Sequence, residues 1–196
     1  MSIKKIADDA WLLALGNANA VLLQDGTELT LLDAGFPGKE KVVLDAIVQL
    51  GRKPSDLKHL VFTHSHPDHI GSAAAIIQAT GARTYMHPAD AAMAEIGGPF
   101  RPMAPAPGLF HTIMHRLVWD ANERMEPFKI DQHVSDGEEL PFAGAAIQMQ
   151  LAPVAVILDL MQPTVPDRRF LDQLRLHRWD ELEGCGLLAR FRVPAD

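Results

Sequence analysis

Apolar and polar positions fall into blocks along most of the chain, and the period of each block names its element. Residues 10–15, 20–24 and 28–32 are short apolar runs that read as strands, the last two joined by a tight turn at Asp25 and Gly26. From Gly38 to Leu50 the period lengthens: Val42, Val43, Ala46, Ile47 and Leu50 share one side of a helix that Gly51 ends. LKHLVF predicts a buried strand over 58–62, and the segment Ser72–Gln78 predicts a helix whose Ala73, Ala74 and Ala75 permit a close approach to a sheet. A strand over 83–86 and a helix over 88–95 follow. GGPFRPMAPAPG, with Pro99, Pro102, Pro105 and Pro107, cannot form a regular helix and reads as an exposed loop. The next segment, FHTIMHRLVW, has helical spacing and sets His111 and His115 four apart.

The junction between the 58–62 strand and the helix after it carries the chemistry. Phe62 to Gly71 reads FTHSHPDHIG, three histidines and an aspartate within six positions. His64 and His66 are two apart, so at an extended strand end they leave on the same side and can grip one ion. Asp68 and His69 come where the chain turns into helix, with Pro67 restricting the turn. They suit a second ion or the far side of a shared one. Imidazole with carboxylate fits a borderline divalent cation, zinc first, with iron or manganese as rivals. Asp68 is also placed to act as a general base. Taken alone, Asp68 reads equally as the N-cap of the next helix, and any single histidine as an ordinary half-buried group.

THSHPDHIG resembles the HxHxDH signature of the metallo-beta-lactamase fold hydrolases. The resemblance implies that His64 and His66 are ligands of a first metal, and Asp68 and His69 of a second. Upstream, NAVLLQDGTELTLLDAGFPG is similar to that family's paired amino-terminal strands and LLDAG turn, which makes Asp33 a carboxylate standing behind the metal histidines. Downstream, TYMHPAD and DGEELPFAGAAIQM resemble the strand after the motif helix and a later hairpin, so the likeness covers roughly residues 5–150. The implied fold is α+β, an αββα sandwich. The implied activity is metal-dependent hydrolysis, in which one or two zinc ions bring the pKa of a water down to roughly 7 and Asp68 takes its proton. In such a family the segment after Pro99 shapes the pocket mouth, so Phe100, Phe110, Met114 and Trp119 are expected substrate contacts. His87 begins an HP-acidic turn with a structural or capping role, and His111 and His115 belong to a packed helix or pocket wall.

The carboxyl end departs from the family. Where a third histidine of the first metal and a bridging aspartate are due, the chain reads LAPVAVILDLMQPTVPDRRFLDQL; His177 and Asp159 are the histidine and aspartate that follow, neither in the family's setting. Residues 1–150 contain seven lysines and five arginines, whereas 151–196 contain six arginines and no lysine, together with the only cysteine, Cys185. The expectation is therefore a metallo-beta-lactamase-like unit over 1–150 and an atypical tail over 151–196, the sandwich being incomplete at the carboxyl end. Weak metal binding with poor or no turnover follows from the missing ligands. The alternative is a non-catalytic remnant or binding protein that keeps the amino-terminal half of the fold.

Composition adds bounds rather than identity. Apolar residues make up 47% of the 196, inside the globular range and enough for a sizeable core. A formal net charge of −7 gives no electrostatic case for nucleic acid, though a metal's own charge leaves anionic substrates open; the expected partner is a small-molecule substrate. One cysteine excludes an internal disulfide framework and fits a reducing compartment. Asp8 and Asp9 stand where a signal peptide needs an apolar core, and no run is long enough for a membrane span, so the expected location is cytoplasmic. An incomplete sandwich is expected to expose apolar sheet surface and to self-associate.

Overall fold

The computed structural model describes residues 3–100, 113, 124–135, 138–140, 146–153 and 185–192. Strands β1 (Ile3–Ala7), β2 (Ala10–Ala14), β3 (Asn19–Asp25) and β4 (Glu28–Leu32) form an antiparallel meander. Asp25 pairs with Glu28, so the hairpin loop is Gly26–Thr27, one residue later than the pattern suggested. Gly26 takes a φ of 53°, the left-handed conformation that a type II′ turn requires at its first central position. After β4 the chain changes mode. Helix α1 (Glu40–Gln49) and a 3-10 turn at Pro54–Asp56 carry it to β5 (Leu57–Val61), which pairs parallel to β4. Helices α2 (Pro67–Ile70) and α3 (Ala73–Thr80) lead to β6 (Arg83–Met86), again parallel. Beyond α4 (Pro88–Ile96), strand β7 (Gln132–His133) closes a seven-stranded sheet in sequential order β1 to β7.

Neighbouring residues of a strand point to opposite faces, and here both faces are apolar. Leu22, Leu31, Leu60 and Met86 face the helices and pack with Val43, Ala46 and Ile47 of α1, Ala73 and Ile76 of α3, and Ala91 and Ala94 of α4. Leu23, Leu32, Val61 and Tyr85 face the other way and pack with Val134 and Leu140. Each fully buried leucine contributes roughly 1.5–3 kcal/mol, so the two-faced pattern fixes β4 and β5 at the centre of the sheet.

Leu140 belongs to β8 (Glu139–Leu140), part of a second sheet with β9 (Ala146–Pro153) and β10 (Cys185–Arg192). Its order is β10-β9-β8, all antiparallel. Helices, seven-stranded sheet and second sheet supply three layers of the αββα sandwich among the described residues. Three strands went unread in the sequence. They are β1, the two-residue β7, and β10, which runs through the tail and pairs with β9 from Cys185 opposite Pro153 to Arg192 opposite Ala146. Most of the tail between them, including Asp159 and His177, lies outside the described residues.

Because β4, β5 and β6 are parallel, the loops that follow them emerge at one edge of the sheet. That edge is where α/β sheets place ligand sites, and the histidine motif is in the middle loop.

Candidate metal centre

The motif loop is held extended before it turns. The Phe62 N–H donates to the Tyr85 carbonyl at 2.9 Å, one residue past the end of β5. His66 then takes the N-cap position of α2 with extended backbone (φ −73°, ψ 152°), and Pro67 fills the first helical position, where its missing N–H costs nothing. The capping reading of Asp68 is therefore not realised. Asp68 lies inside the first turn of α2, and the N-cap is a histidine whose side chain makes no capping bond.

Three motif side chains share one point. Ligand atoms of His64, Asp68 and His69 all lie within 4.8 Å of one another. The His64 and His69 rings are 3.8 Å apart between centroids, and the His66 ring stands edge-on to His64 at 4.6 Å. His64, His66 and His69 are 4%, 4% and 2% exposed, so the sequence places three imidazoles in the interior at a loop, where packing alone would have favoured apolar residues. The spacing argument paired His64 with His66. In the folded chain the group that converges on one point is His64 with Asp68 and His69, and His66 flanks it.

Asp33 stands behind this group. It follows β4 directly with a φ of 61°, the one non-glycine residue with positive φ among those described. Aspartate tolerates the left-handed region better than most residues, and strain of this kind concentrates at sites where the surroundings hold it. The turn aims the carboxylate across to the motif loop: Asp33 Oδ2 is 2.8 Å from His69 Nδ1, and Asp33 Oδ1 accepts the Thr63 N–H at 2.9 Å. The Thr63 hydroxyl lies 3.1 and 2.9 Å from the two Asp33 oxygens, 3.0 Å from His64 Nδ1 and 3.2 Å from His69 Nδ1.

Backbone contacts bind the same two loops. Ala34 N–H donates to the His69 carbonyl at 2.6 Å. Ser72 at the start of α3 donates its hydroxyl to the Phe36 carbonyl at 2.6 Å and accepts the Lys39 N–H at 2.7 Å. Gly71 allows the close approach: a Cβ there would lie 2.4 Å from the Pro37 nitrogen and 2.5 Å from the Pro67 carbonyl oxygen. On the other flank, the buried Ser65 donates its hydroxyl to Asp90 of α4 at 2.8 Å.

Burial alone works against charge on His69, but the charge and hydrogen bond of Asp33, followed by those of Asp68, outweigh it and raise its pKa to about 10. Asp68 shows the reciprocal effect. Burial opposes its charge, yet the hydrogen bond and charge of His69, 3.4 Å away, hold its carboxyl below the usual range. Two carboxylates thus surround buried imidazoles, an arrangement that demands a cation. A proton on His69 meets the demand here; a divalent ion would meet it by displacing that proton, as ligation of imidazole requires. Nitrogen and oxygen donors of this kind fit zinc, iron or manganese.

The remaining sequence expectations sort by location. His87 caps α4, its Nδ1 accepting the Ala89 N–H at 3.2 Å, which is the capping role expected of it. Phe100 is 7% exposed and packs in the helix-side core, a placement that accounts for it by packing. Phe110, Met114 and Trp119, like His111 and His115, lie outside the described residues. Thr63, Ser65 and Asp90 were missed as parts of the site. A hydroxyl directly before each of His64 and His66, at Thr63 and Ser65, was the available signal, but their partners stand 30 and 25 residues away.

The sequence pattern of the metallo-beta-lactamase superfamily matches residues 13–156. The chain belongs to that superfamily. Its curated relatives match over shorter stretches. The uncharacterized protein YobT of Bacillus subtilis is 43% identical over 65 residues, 33% of this chain and 27% of that protein. The exodeoxyribonuclease WalJ of Streptococcus pneumoniae is 32% identical over 75 residues, 38% of this chain and 27% of WalJ. A hydroxyacylglutathione hydrolase of Albidiferax ferrireducens is 45% identical over 49 residues, 25% of this chain and 18% of the enzyme. Among solved structures, a beta-lactamase from Chitinophaga pinensis superposes with a TM-score of 0.64 at 24% identity, covering 78% of this chain and 52% of its own. The subclass B3 enzyme BJP-1 of Bradyrhizobium japonicum does so at 0.62 and 19%, with the same coverage. These likenesses establish the metallo-beta-lactamase fold. The chain spans about half the length of those structures, and the match covers 27% or less of the length of these curated relatives. Among the described residues no helix is long and apolar enough to cross a membrane.

Proposed function

We propose that the chain is a metal-dependent hydrolase unit acting on a small-molecule substrate, with His64, His66, Asp68 and His69 as the ligands it supplies and zinc as the preferred ion. The convergence of His64, Asp68 and His69 within 4.8 Å carries this reading. One or two ions bound there supply Lewis acidity and make water acidic enough to ionise near neutral pH. The chain's residues do the rest. Asp33 holds His69 with its Nδ1 turned inward, so that Nε2 points to the Asp68 side. Asp68, at 21% side-chain exposure the most open member of the group, accepts a proton from the attacking water at its carboxylate. The burial of the three histidines excludes bulk water and strengthens each of these contacts.

Sequence relatives are named exodeoxyribonuclease and hydroxyacylglutathione hydrolase, and the fold is that of beta-lactamases, so the substrate class is open to a panel of phosphodiester, thioester and lactam compounds. The net charge of −7 disfavours a nucleic acid substrate. The non-catalytic alternative has one observation in its favour: among the described residues the ligand atoms that converge number three, fewer than a tightly held ion with an open position and a second ion would use. Metal content per chain and turnover of the panel, measured beside an H64A/H66A double variant, separate the two. Metal and turnover lost together in the double variant support the hydrolase. Metal bound without turnover supports a binding role, and no metal in either protein defeats the assignment.

A further inference from the structure

We propose that Thr63 is a positioning residue that sets the tautomer of His64, using Asp33 as its reference charge. The inference rests on the metal-ligand reading of His64 and concerns how that ring is presented. A hydroxyl carries one proton and two lone pairs, and four groups compete for them at Thr63 Oγ1: the two Asp33 oxygens at 3.1 and 2.9 Å, His64 Nδ1 at 3.0 Å and His69 Nδ1 at 3.2 Å. An ionised carboxylate can only accept, so the Thr63 proton goes to Asp33. Asp33 Oδ2 also takes the His69 Nδ1 proton at 2.8 Å, and Oδ1 takes the Thr63 N–H at 2.9 Å.

With its own proton committed, Thr63 Oγ1 can only accept from His64. The His64 proton therefore resides on Nδ1, which leaves the Nε2 lone pair available to a ligand. His69 is oriented by Asp33 directly, and His64 by the same carboxylate at second hand, through Thr63. One aspartate thus orders two imidazoles, and the hydroxyl makes the relay work in one direction. Valine has the same shape and cannot take part. Serine can.

The test uses the full chain in three forms: unaltered, T63S and T63V. Nitrogen-15 NMR of the metal-free proteins, labelled at histidine, reads the tautomer, and calorimetric titration with zinc reads the affinity. The expected result is the Nδ1–H form of His64 in the unaltered chain and in T63S, and a shift toward Nε2–H in T63V. Zinc affinity is expected to fall roughly 10- to 100-fold in T63V and to stay within about 3-fold in T63S. An unchanged tautomer in T63V, or a T63S variant as impaired as T63V, overturns the proposal. If the unaltered chain takes up no zinc, the metal reading fails, and the NMR comparison still decides whether Thr63 orders His64. A melting curve for each variant identifies a T63V that fails to fold, in which case T63S against T63A provides the comparison.

Discussion

Two histidines, one within the central strand β5 and one beyond its carboxyl end, each stand beside a carboxylate, and their protonation moves in opposite directions. His69, past the carboxyl end of β5, is 2.8 Å from Asp33 and 3.4 Å from Asp68 in a site where its side chain is 2% exposed. Its pKa rises to about 10. His59, within β5, has its Nε2 3.7 Å from Glu28 and its Nδ1 3.0 Å from the Tyr85 hydroxyl. Burial lowers its pKa, and Glu28 fails to reverse the effect because that carboxylate is 57% exposed and the charges of Arg83 and Lys58 oppose it. The lesson is one of geometry and dielectric. A carboxylate at hydrogen-bond distance in a dry site governs a histidine, whereas a solvated one slightly farther off does not.

Removing Asp33 should break the comparison most completely. D33A is expected to weaken zinc binding roughly 10- to 100-fold, read by calorimetric titration, and to cost about 1–3 kcal/mol of metal-free stability by stranding buried donors. Affinity within a factor of two of the unaltered chain would reduce Asp33 to a turn residue. The pH dependence of metal-free stability should then carry both signs. The raised pKa of His69 contributes stability that is complete below its ordinary 6.5 and is lost as pH rises through about 10. The lowered pKa of His59 contributes stability present above 6.5 and lost as pH falls below it. Urea midpoints between pH 5 and 10 should flatten on the alkaline side in D33N and on the acid side in H59N.

Smaller changes sharpen the contrast. G71A forces a methyl group into the Pro37 backbone and is expected to cost about 1–3 kcal/mol with a loss of zinc affinity, because the two loops separate; unaltered melting and affinity would show that the contact yields freely. Beside His59, Y85F in β6 removes the hydroxyl 3.0 Å from His59 Nδ1 and should cost about 0.5–1.5 kcal/mol while leaving zinc binding as it was. A drop in affinity there would mean that the two histidine environments communicate. The exposed Lys41–Asp45 pair, 2.7 Å apart on α1, should matter least, K41A shifting stability by no more than about 0.5 kcal/mol.

Much of the fold was legible because β2 to β6 and α1, α3 and α4 announce themselves by period, and the motif by density. The limits of α1 fell within two residues of the pattern, Glu40–Gln49 against 38–50. What escaped depends on partners distant in sequence. Strand β10 contains Arg190 and Arg192 and takes its register from β9, more than thirty residues earlier. The grouping of His64 with Asp68 and His69 needed the single turn of α2 to fold Asp68 and His69 back toward the strand end, which an extended spacing rule does not anticipate. Thr63 was invisible for a similar reason, since a hydroxyl next to a histidine has no meaning until Asp33 is brought beside it.

The Ala34 amide offers a use beyond support. Its proton is sealed against the His69 carbonyl at 2.6 Å, and Ala34 is fully buried. It can exchange with solvent only when the loop after β4 parts from the motif loop, so its exchange rate clocks that opening directly. Deuterium uptake at this one position would therefore report, without substrate and without any metal added, how often the histidine cluster comes apart.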